Sequence, residues 1–336
     1  MKVLVTARLP EEVLNRIARD HQVHIHTQDV PLEREKLLEL IGDVNGLLCT
    51  ITDRIDREVL DLGPRLRVIA NNGVGFDHID VKEATRRGIP VSNTPGVLTD
   101  ATADLAFALI LASARRVVEG DRLVRNGEFK FWAPLNFLGM EVSGKTLGII
   151  GMGRIGQAVA KRAAGFDMKV IYWSRTRLDP ALEHMLRVSF SSFDDLLRES
   201  DFVSLHVPLS SETRHLIGPG ELSMMKTSAF LVNTARGPVV DEKALVVALR
   251  SGTIRSAALD VYENEPELSD GLADLPNAVL LPHLGSATIE TRTRMANMAC
   301  ENLLAGLAGE RPPNCVNCDL LPQAEPHIPS LNQIDS

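Results

Sequence analysis

The sequence predicts an α/β protein with two domains, each built around a mostly parallel sheet. Apolar strand patterns alternate with amphipathic helix patterns from the first residue onward. The alternation is interrupted after the turn-rich segment Asn93–Gly96 and resumes at Thr146. A chain of 336 residues is also long enough for two domains of ordinary size.

The composition is typical of a folded globular protein, with 44% hydrophobic and 24% charged residues. A net charge of −8 excludes a generally basic surface for nucleic acid. The longest apolar stretch, Leu105–Ala112, is too short to span a bilayer, and Arg8 interrupts the first apolar run before a secretion signal can develop. We therefore expect a cytoplasmic protein without membrane or nucleic-acid partners.

Four cysteines are too few for a disulfide framework in a chain of this length. Cys315 and Cys318 form one C-x2-C motif, but no second pair follows it, and the next histidine is His327 in a proline-rich tail. A tetrahedral zinc site would lack ligands there. We expect no metal site and ordinary structural roles for both cysteines, with adventitious oxidation as the alternative.

The first series of patterns predicts a compact, flavodoxin-like α/β domain. The expected strands are Lys2–Ala7, Gln22–Thr27, Gly46–Cys49 and Leu66–Ala70, and the expected helices are Glu11–Asp20 and Leu32–Ile41. The last strand leads directly into the glycine-containing segment Asn71–Gly75.

The middle of the chain contains a cluster of aromatic residues. After a long apolar helix expected over Thr102–Val117, the segment Gly127–Gly144 has neither helical nor strand periodicity, yet it concentrates aromatics in a chain that is only 4% aromatic. It is either a loop that covers the core or an arm that packs on a second subunit. We favour the arm, over about residues 120–145, and hence a homodimer.

The second series predicts a doubly wound, Rossmann-type sheet of six parallel strands. The strands are expected at Leu147–Ile150, Lys169–Trp173, Asp201–His206, Ala229–Asn233, Ala257–Val261 and Val279–Leu281. A long amphipathic helix over Thr288–Gly309 follows the last of them.

The segment Gly151–Gly156 is a complete G-x-G-x-x-G that follows an apolar strand and opens a helix. In that context the glycines allow a tight turn, approach of a pyrophosphate and close helix-to-strand packing. The string alone would be weak evidence, but its position predicts a dinucleotide site. The expected contacts are Gly151, Gly153, Arg154, Ile155 and Gly156.

The residues after the next strand indicate which dinucleotide is bound. A free ribose 2′-hydroxyl is normally held by an acidic residue about 20 positions beyond the glycines, but this chain has no carboxylate at the strand end. The sequence there is Ser174, Arg175, Thr176 and Arg177. Two guanidiniums and two hydroxyls suit a 2′-phosphate, so NADP(H) is preferred and NAD(H) remains possible.

Three residues follow the ends of other predicted strands: Arg236, Glu265 and His283. The carboxyl ends of parallel strands line one crevice, so the three could meet there. A histidine can protonate a carbonyl that accepts a hydride, and a carboxylate can orient the imidazole and favour its charged form. An arginine can bind a substrate carboxylate and polarise the adjacent carbonyl.

These motifs resemble the signatures of the D-isomer-specific 2-hydroxyacid dehydrogenase family. The segments that carry the resemblance are Gly151–Gly156, Asn233–Gly237, Asp260–Pro266 and Pro282–Ser286. It runs from about residue 1 to 318. Within that family, Asn71–Asp77, Trp132–Leu135 and Ser174–Arg177 are most similar to the glyoxylate/hydroxypyruvate reductases.

The resemblance implies specific roles. Arg236, Glu265 and His283 would be the catalytic trio, the amides of Val74 and Gly75 would hold the substrate carboxylate, and Asp260 would lie near the nicotinamide amide. Further cofactor contacts would come from Thr234, Ala235 and Gly285, and Trp132 would contact substrate. The substrate domain would comprise residues 1–98 and 288–336, and the cofactor domain, residues 99–287, would form the dimer.

The sequence thus predicts an NADPH-preferring reductase of glyoxylate or hydroxypyruvate. One alternative is an NAD-linked relative, such as a phosphoglycerate dehydrogenase, which the missing acid at Ser174 and the absence of a regulatory domain disfavour. The other alternative is a dinucleotide-sensing, corepressor-like binding protein. Long disordered flanks that recruit partners would favour that function, and this sequence lacks them.

Overall fold

The computed structural model describes residues 1–321, which belong to two compact units. One comprises Met1–Pro95 together with the chain from Thr293, and the other comprises Gly96–Arg292. Residues 322–336 lie outside the described residues; they include His327 and form the end of the predicted first domain. Within residues 1–321, no helix combines the length and the apolar character that a membrane crossing requires.

The first unit has a five-stranded parallel sheet in its described part. In chain order its elements are β1 (Lys2–Val5), α1 (Glu11–Ala18), β2 (Gln22–Ile25), α2 (Arg34–Leu40), β3 (Gly46–Cys49), α3 (Arg57–Leu62), β4 (Val68–Asn71), α4 (Val81–Arg86) and β5 (Val91–Ser92). The strand order is β2-β1-β3-β4-β5, which is the flavodoxin-like order that was predicted. Every residue of β3 and β4 is buried, as expected for strands covered on both faces.

The sequence analysis missed β5, a strand of only two residues. Residues near the end of the described chain lie against this strand. Val316 donates its amide to the carbonyl of Val91 at 2.8 Å, and the buried Asn317 side chain accepts the Val91 amide at 2.8 Å. A disulfide joins Cys315 to Cys318, which is the oxidised form that the sequence analysis gave as the alternative to ordinary structural roles. The turn around Asn317 brings the two sulfurs together.

The second unit has a seven-stranded sheet, all parallel, rather than the six strands predicted. In chain order its elements are α5 (Thr99–Ala114), α6 (Val117–Arg125), β6 (Thr146–Ile150), α7 (Arg154–Ala163), β7 (Lys169–Trp173), α8 (Pro180–Leu186), β8 (Val188–Phe190), α9 (Phe193–Glu199), β9 (Phe202–Leu205), α10 (Pro219–Met224), β10 (Phe230–Asn233), α11 (Glu242–Ser251), β11 (Ser256–Leu259) and β12 (Ala278–Leu280). The strand order is β12-β11-β10-β9-β6-β7-β8. The unpredicted strand is β8, which has three residues and buries only Val188.

Two apolar clusters cover the two faces of this sheet. Helix α5 buries Ala103, Ala106 and Ile110 in one of them. It ends earlier than the predicted Val117, because Arg116 adopts a left-handed backbone conformation with φ of +55° that separates α5 from α6. The last helix, α12 (Ile289–Ala308), agrees with the predicted one to within a residue at each end.

Candidate active site

The glycine-rich turn between β6 and α7 has the geometry that a dinucleotide requires. Gly151 has φ of +98°, and a Cβ there would lie 2.7 Å from the backbone of His206. A Cβ on Gly156 would lie 2.2 Å from the Gly151 carbonyl oxygen. Only glycine fits either position. A Cβ on Gly153 would meet no atom of the described chain within 4 Å, so this glycine borders open space.

Helix α7 begins directly after that open space. Gly153 is its N-cap, and no side chain of residues 1–321 caps the helix. The first amides of a helix lack intrahelical acceptors, and together with the helix dipole they favour an anion. The turn therefore fits the pyrophosphate of a dinucleotide, with the amides of Arg154 and Ile155 available to it.

The loop after β7 contains the four residues predicted to select the cofactor. The Ser174 hydroxyl donates to the carbonyl of Thr176 within the loop. Arg175 is largely exposed, with Nη1 at 3.2 Å from a carboxylate oxygen of Glu212. Arg177 makes two hydrogen bonds of 2.8 Å to the carboxylate of Glu183. The two arginines thus have different environments.

The structure pairs two of the predicted trio, Glu265 and His283, after strands of the second unit, and Arg236 is near enough for its charge to act on Glu265. His283 Nδ1 lies 2.8 Å from Oε2 of Glu265, whose Oε1 accepts the amide of Tyr262 at 3.0 Å. Burial by itself raises the pKa of Glu265, but the bond from His283, the Tyr262 amide and the charge of Arg236 outweigh it and lower that pKa overall. The carboxylate is therefore ionised near neutral pH.

Asp260 holds the turn that carries His283. Its carboxylate oxygens accept the amides of Leu284 at 2.6 Å and Gly285 at 2.8 Å, and its carbonyl accepts the His283 amide at 2.9 Å. These bonds fix His283 at a φ of +55°, which few non-glycine residues adopt. Burial raises the pKa of Asp260, against the opposing effect of the two amides and His283.

Asn233, the last residue of β10, shapes the turn that contains Thr234, Ala235 and Arg236. Its Oδ1 accepts the Ala235 amide at 3.0 Å, and its Nδ2 donates to the Arg236 carbonyl at 3.0 Å. The Thr234 hydroxyl is buried and has no hydrogen-bond partner among residues 1–321. A buried hydroxyl without a partner is costly, so it is well suited to meet a ligand.

The glycine-containing segment of the first unit exposes backbone amides. Asn71 Nδ2 donates to the carbonyls of Gly73 at 3.0 Å and Gly75 at 2.8 Å, and Asn93 Nδ2 donates to that of Val74 at 2.8 Å. The carbonyls of the three successive residues Gly73, Val74 and Gly75 therefore each accept a side-chain hydrogen bond. The amides of Val74 and Gly75 have no acceptor in the described part of the chain. This segment can bind an anion without any charged side chain.

The segment predicted to be a dimerisation arm lies open on the second unit. Trp132 is 78% exposed and Leu135 is 82% exposed. Phe129, Phe131 and Leu138 are also more than half exposed. The segment is held at its end, where the guanidinium of Arg116 lies 3.9 Å from the ring centre of Phe137. Only the end of the segment packs on the core of the second unit, through Met140 and the buried Val142, so the alternative interpretation, a loop that covers the core, holds for that end alone.

Sequence reasoning missed several residues that shape these sites. Asn71 and Asn93 tie the Gly73–Gly75 carbonyls, and Thr102 donates its hydroxyl to the Gly285 carbonyl at 3.0 Å. A signal was present only for Asn71, because an asparagine after a strand and before a glycine turn commonly bonds to nearby backbone. Thr102 is 183 positions from Gly285, and no local pattern predicts that contact.

Comparison with known proteins identifies the class. A sequence profile for the D-isomer specific 2-hydroxyacid dehydrogenase, NAD binding domain, matches residues 107–285. The glyoxylate reductase of Thermococcus litoralis is 52% identical over 329 residues, which are 97% of this chain and 99% of that protein.

Solved structures agree with this result. The TT0316 protein of Thermus thermophilus is 51% identical, with a TM-score of 0.88 over 94% of this chain and 100% of that one. An NADPH-dependent glyoxylate/hydroxypyruvate reductase of Sinorhizobium meliloti, in complex with NADP and malonate, is 30% identical, with a TM-score of 0.83 over 96% of this chain and 99% of that one.

The chain belongs to the D-isomer specific 2-hydroxyacid dehydrogenase family. It is an NAD(P)-dependent oxidoreductase with the two-domain α/β fold of that family, as the motifs predicted. Its similarity to glyoxylate reductases extends over nearly the full length of both chains.

Proposed function

We propose that this protein reduces glyoxylate, and also hydroxypyruvate, to the corresponding 2-hydroxy acid with NADPH. The observation that carries the proposal is the 2.8 Å pair of Glu265 and His283, which lies in a dinucleotide-binding unit and is influenced by the charge of Arg236. The glyoxylate reductase of Thermococcus litoralis, 52% identical, supports the choice of substrate.

The three side chains have distinct roles in this reaction. When bound, the dinucleotide supplies the hydride for the keto carbon. Glu265 accepts a hydrogen bond from Nδ1 of His283, which leaves Nε2 as the nitrogen that can protonate the keto oxygen. Arg236 binds the substrate carboxylate and polarises the adjacent carbonyl.

The amides of Val74 and Gly75 provide further bonds to the substrate carboxylate. Their carbonyl neighbours are already occupied by Asn71 and Asn93, so the segment presents donors and no competing acceptors. Trp132 contributes an apolar contact to the substrate. Neither backbone amides nor a tryptophan ring distinguishes glyoxylate from hydroxypyruvate strongly, and this is why the proposal includes both.

The cofactor assignment rests on the two loops of the second unit. Gly151, Gly153 and Gly156 admit the pyrophosphate, and Ser174, Arg175 and Thr176 lie where a 2′-phosphate is recognised, with Arg177 next in the same loop. The NADP complex of the Sinorhizobium meliloti reductase supports NADPH. Thr234, Ala235 and Gly285 complete the contacts, and the carboxylate of Asp260 acts mainly by fixing the His283 turn.

The proposal includes a homodimer formed through the arm around Trp132, in the cytoplasm. A monomer would leave a contiguous set of large apolar side chains in water, which is unusual for a stable surface. A two-fold dimer would cover the same patch on both subunits. Sedimentation at micromolar concentration should give a dimer, and an active monomer would contradict this part of the proposal.

The test of the function is the loss of NADPH absorbance when glyoxylate or hydroxypyruvate is added to the purified protein. We expect turnover with both acids and a lower KM for NADPH than for NADH. Turnover with 3-phosphohydroxypyruvate and NADH alone would favour the phosphoglycerate alternative. Cofactor binding without any turnover would favour a sensing protein.

A further inference from the structure

The two arginines after β7 are not equivalent. Arg175 is 73% exposed, and within residues 1–321 its ion pair is with Glu212, which is 70% exposed, at 3.2 Å. Such exposed ion pairs contribute little and exchange readily for another anion. Arg177 instead uses Nε and Nη2 together, at 2.8 Å each, on the two oxygens of Glu183. Paired, parallel bonds of this kind are among the strongest that arginine makes.

Glu183 joins Arg177, whose side chain is 60% exposed, to the buried Tyr172. Its side chain is only 10% exposed, and it also accepts the hydroxyl of Tyr172 at 2.6 Å. The bonds from Arg177 and Tyr172 lower the pKa of Glu183 to about 2, against the effect of burial, so the carboxylate stays ionised. Removing Arg177 from Glu183 would leave a buried charge without its cation, which is unfavourable.

The same network fixes the backbone of the loop. The Tyr172 hydroxyl accepts the amide of Leu178 at 2.9 Å, and Tyr172 itself is fully buried in β7. The guanidinium of Arg177 also lies 5.6 Å from the ring centre of Phe190 in β8. The loop is therefore anchored on both sides of Ser174–Thr176, by Tyr172 before it and by Arg177 after it.

We propose that Arg177 is a positioning residue for recognition of the 2′-phosphate and not a ligand of it. Bound to Glu183, it anchors the loop so that Arg175 and Ser174 meet the phosphate, and Arg175 gives up Glu212 to do so. This inference rests on the proposed preference for NADPH. It predicts that cofactor choice depends on a carboxylate, Glu183, that never touches the cofactor.

Glu183→Gln distinguishes the two possible roles of Arg177 by the sign of the effect. If Arg177 positions the loop, the variant loosens the loop and NADP binds about three- to tenfold more weakly, while NAD binding changes less than twofold. If Arg177 were instead a ligand withheld by Glu183, the variant would release it and NADP would bind more tightly. Titration calorimetry with NADP and with NAD gives both dissociation constants without requiring turnover.

Two further variants keep the result interpretable. Glu199→Gln removes the same charge from an exposed pair with Lys169 in the same unit, at 3.1 Å, and should leave the ratio of the two dissociation constants unchanged. Tyr172→Phe removes one bond to Glu183 and the acceptor of the Leu178 amide at nearly constant volume, and should weaken NADP in the same direction as Glu183→Gln. It serves as the test should Glu183→Gln fail to fold.

Arg175→Ala separates failure of this inference from failure of the proposed function. We expect it to weaken NADP roughly ten- to hundredfold and NAD little, as for loss of a charge-assisted bond. If Arg175→Ala leaves the ratio unchanged, the preference for NADPH itself is wrong. If Arg175→Ala has its effect but Glu183→Gln tightens NADP, or changes thermal unfolding with no change in the ratio, the role assigned to Arg177 is overturned.

Discussion

Each of the two units has a glycine-containing loop at the end of a buried strand, but different interactions fix the conformations of the two loops. In the first unit the loop after β4 is held by the neutral side chains of Asn71 and Asn93, which occupy its carbonyls and leave its amides free. In the second unit the loop after β6 needs glycine at Gly151 and Gly156 to avoid backbone collisions, and it opens directly into the ten-residue helix α7.

The difference indicates a division of labour between the two units. In the proposed function the first-unit loop binds an anion with neutral groups only, so its contribution should not titrate near neutral pH. The second unit adds ionisable groups, Glu265 and His283, at other strand ends. We therefore expect changes in the first-unit loop to alter KM for the keto acid without changing the pH dependence. Changes at Glu265 and His283 should alter turnover and pH dependence, and changes in the loop after β6 should alter cofactor binding.

The largest effect should come from His283→Ala. General acid catalysis contributes typically 10²–10⁴-fold, so turnover should fall by roughly that factor, while the dissociation constant of NADPH changes little. The measurement is kcat together with calorimetric NADPH binding. If turnover and thermal stability declined together, His283 would be a structural residue of its turn, and the contrast between the units would be lost.

Gly151→Ala and Gly153→Ala test the second-unit loop as a matched pair. At Gly151 an added methyl meets backbone at 2.7 Å and the positive φ is unfavourable, so we expect about 3 kcal/mol or more of lost unfolding free energy. At Gly153 nothing lies within 4 Å, so Gly153→Ala should fold normally but bind NADPH more weakly. Thermal unfolding and NADPH titration of both variants decide this. Normal NADPH affinity in Gly153→Ala would mean that the open space does not receive the pyrophosphate.

Asn71→Asp tests the first-unit loop. A carboxylate cannot donate to the carbonyls of Gly73 and Gly75, and unpaired buried groups cost about 1–3 kcal/mol, so KM for glyoxylate should rise roughly ten- to hundredfold. NADPH binding should be unchanged. Asn15→Asp, at an exposed position of the same unit, makes the same charge change and should have no effect. An unaltered KM in a stably folded Asn71→Asp would show that these amides do not bind the substrate.

The smallest effect is a shift along the pH axis in Glu265→Gln. Because the pKa of Glu265 is lowered, its carboxylate stays ionised, and its pairing with His283 persists, until the pH falls below the usual glutamate range. Glutamine removes the anion that pairs with His283, so the alkaline limb of the reduction rate should move to lower pH. The exposed Glu267→Gln is the control. An unmoved limb in Glu265→Gln, with normal stability, would exclude the proposed proton donor.

Much of the candidate site follows from local sequence. The Gly151–Gly156 string between a strand and a helix predicted its turn, and the positions of Arg236, Glu265 and His283 after strands predicted that they could meet at one sheet edge. The structure places Glu265 and His283 2.8 Å apart. The strands missed, β5 and β8, have two and three residues, too few to show a period.

The sequence by itself determined the fold class, the family and the residue types at the strand ends. This is because the periodicity of apolar residues and the spacing of glycines are set by residues that are neighbours in the chain. Only the tertiary structure decided which polar groups pair. Arg177 binds Glu183 rather than standing free beside Arg175, the Asp260 carboxylate holds amides 24 and 25 positions away, and Asn317 bonds to Val91 across 226 positions. Such pairings satisfy groups that the whole fold buries together, and no local pattern encodes a partner that folding alone brings near.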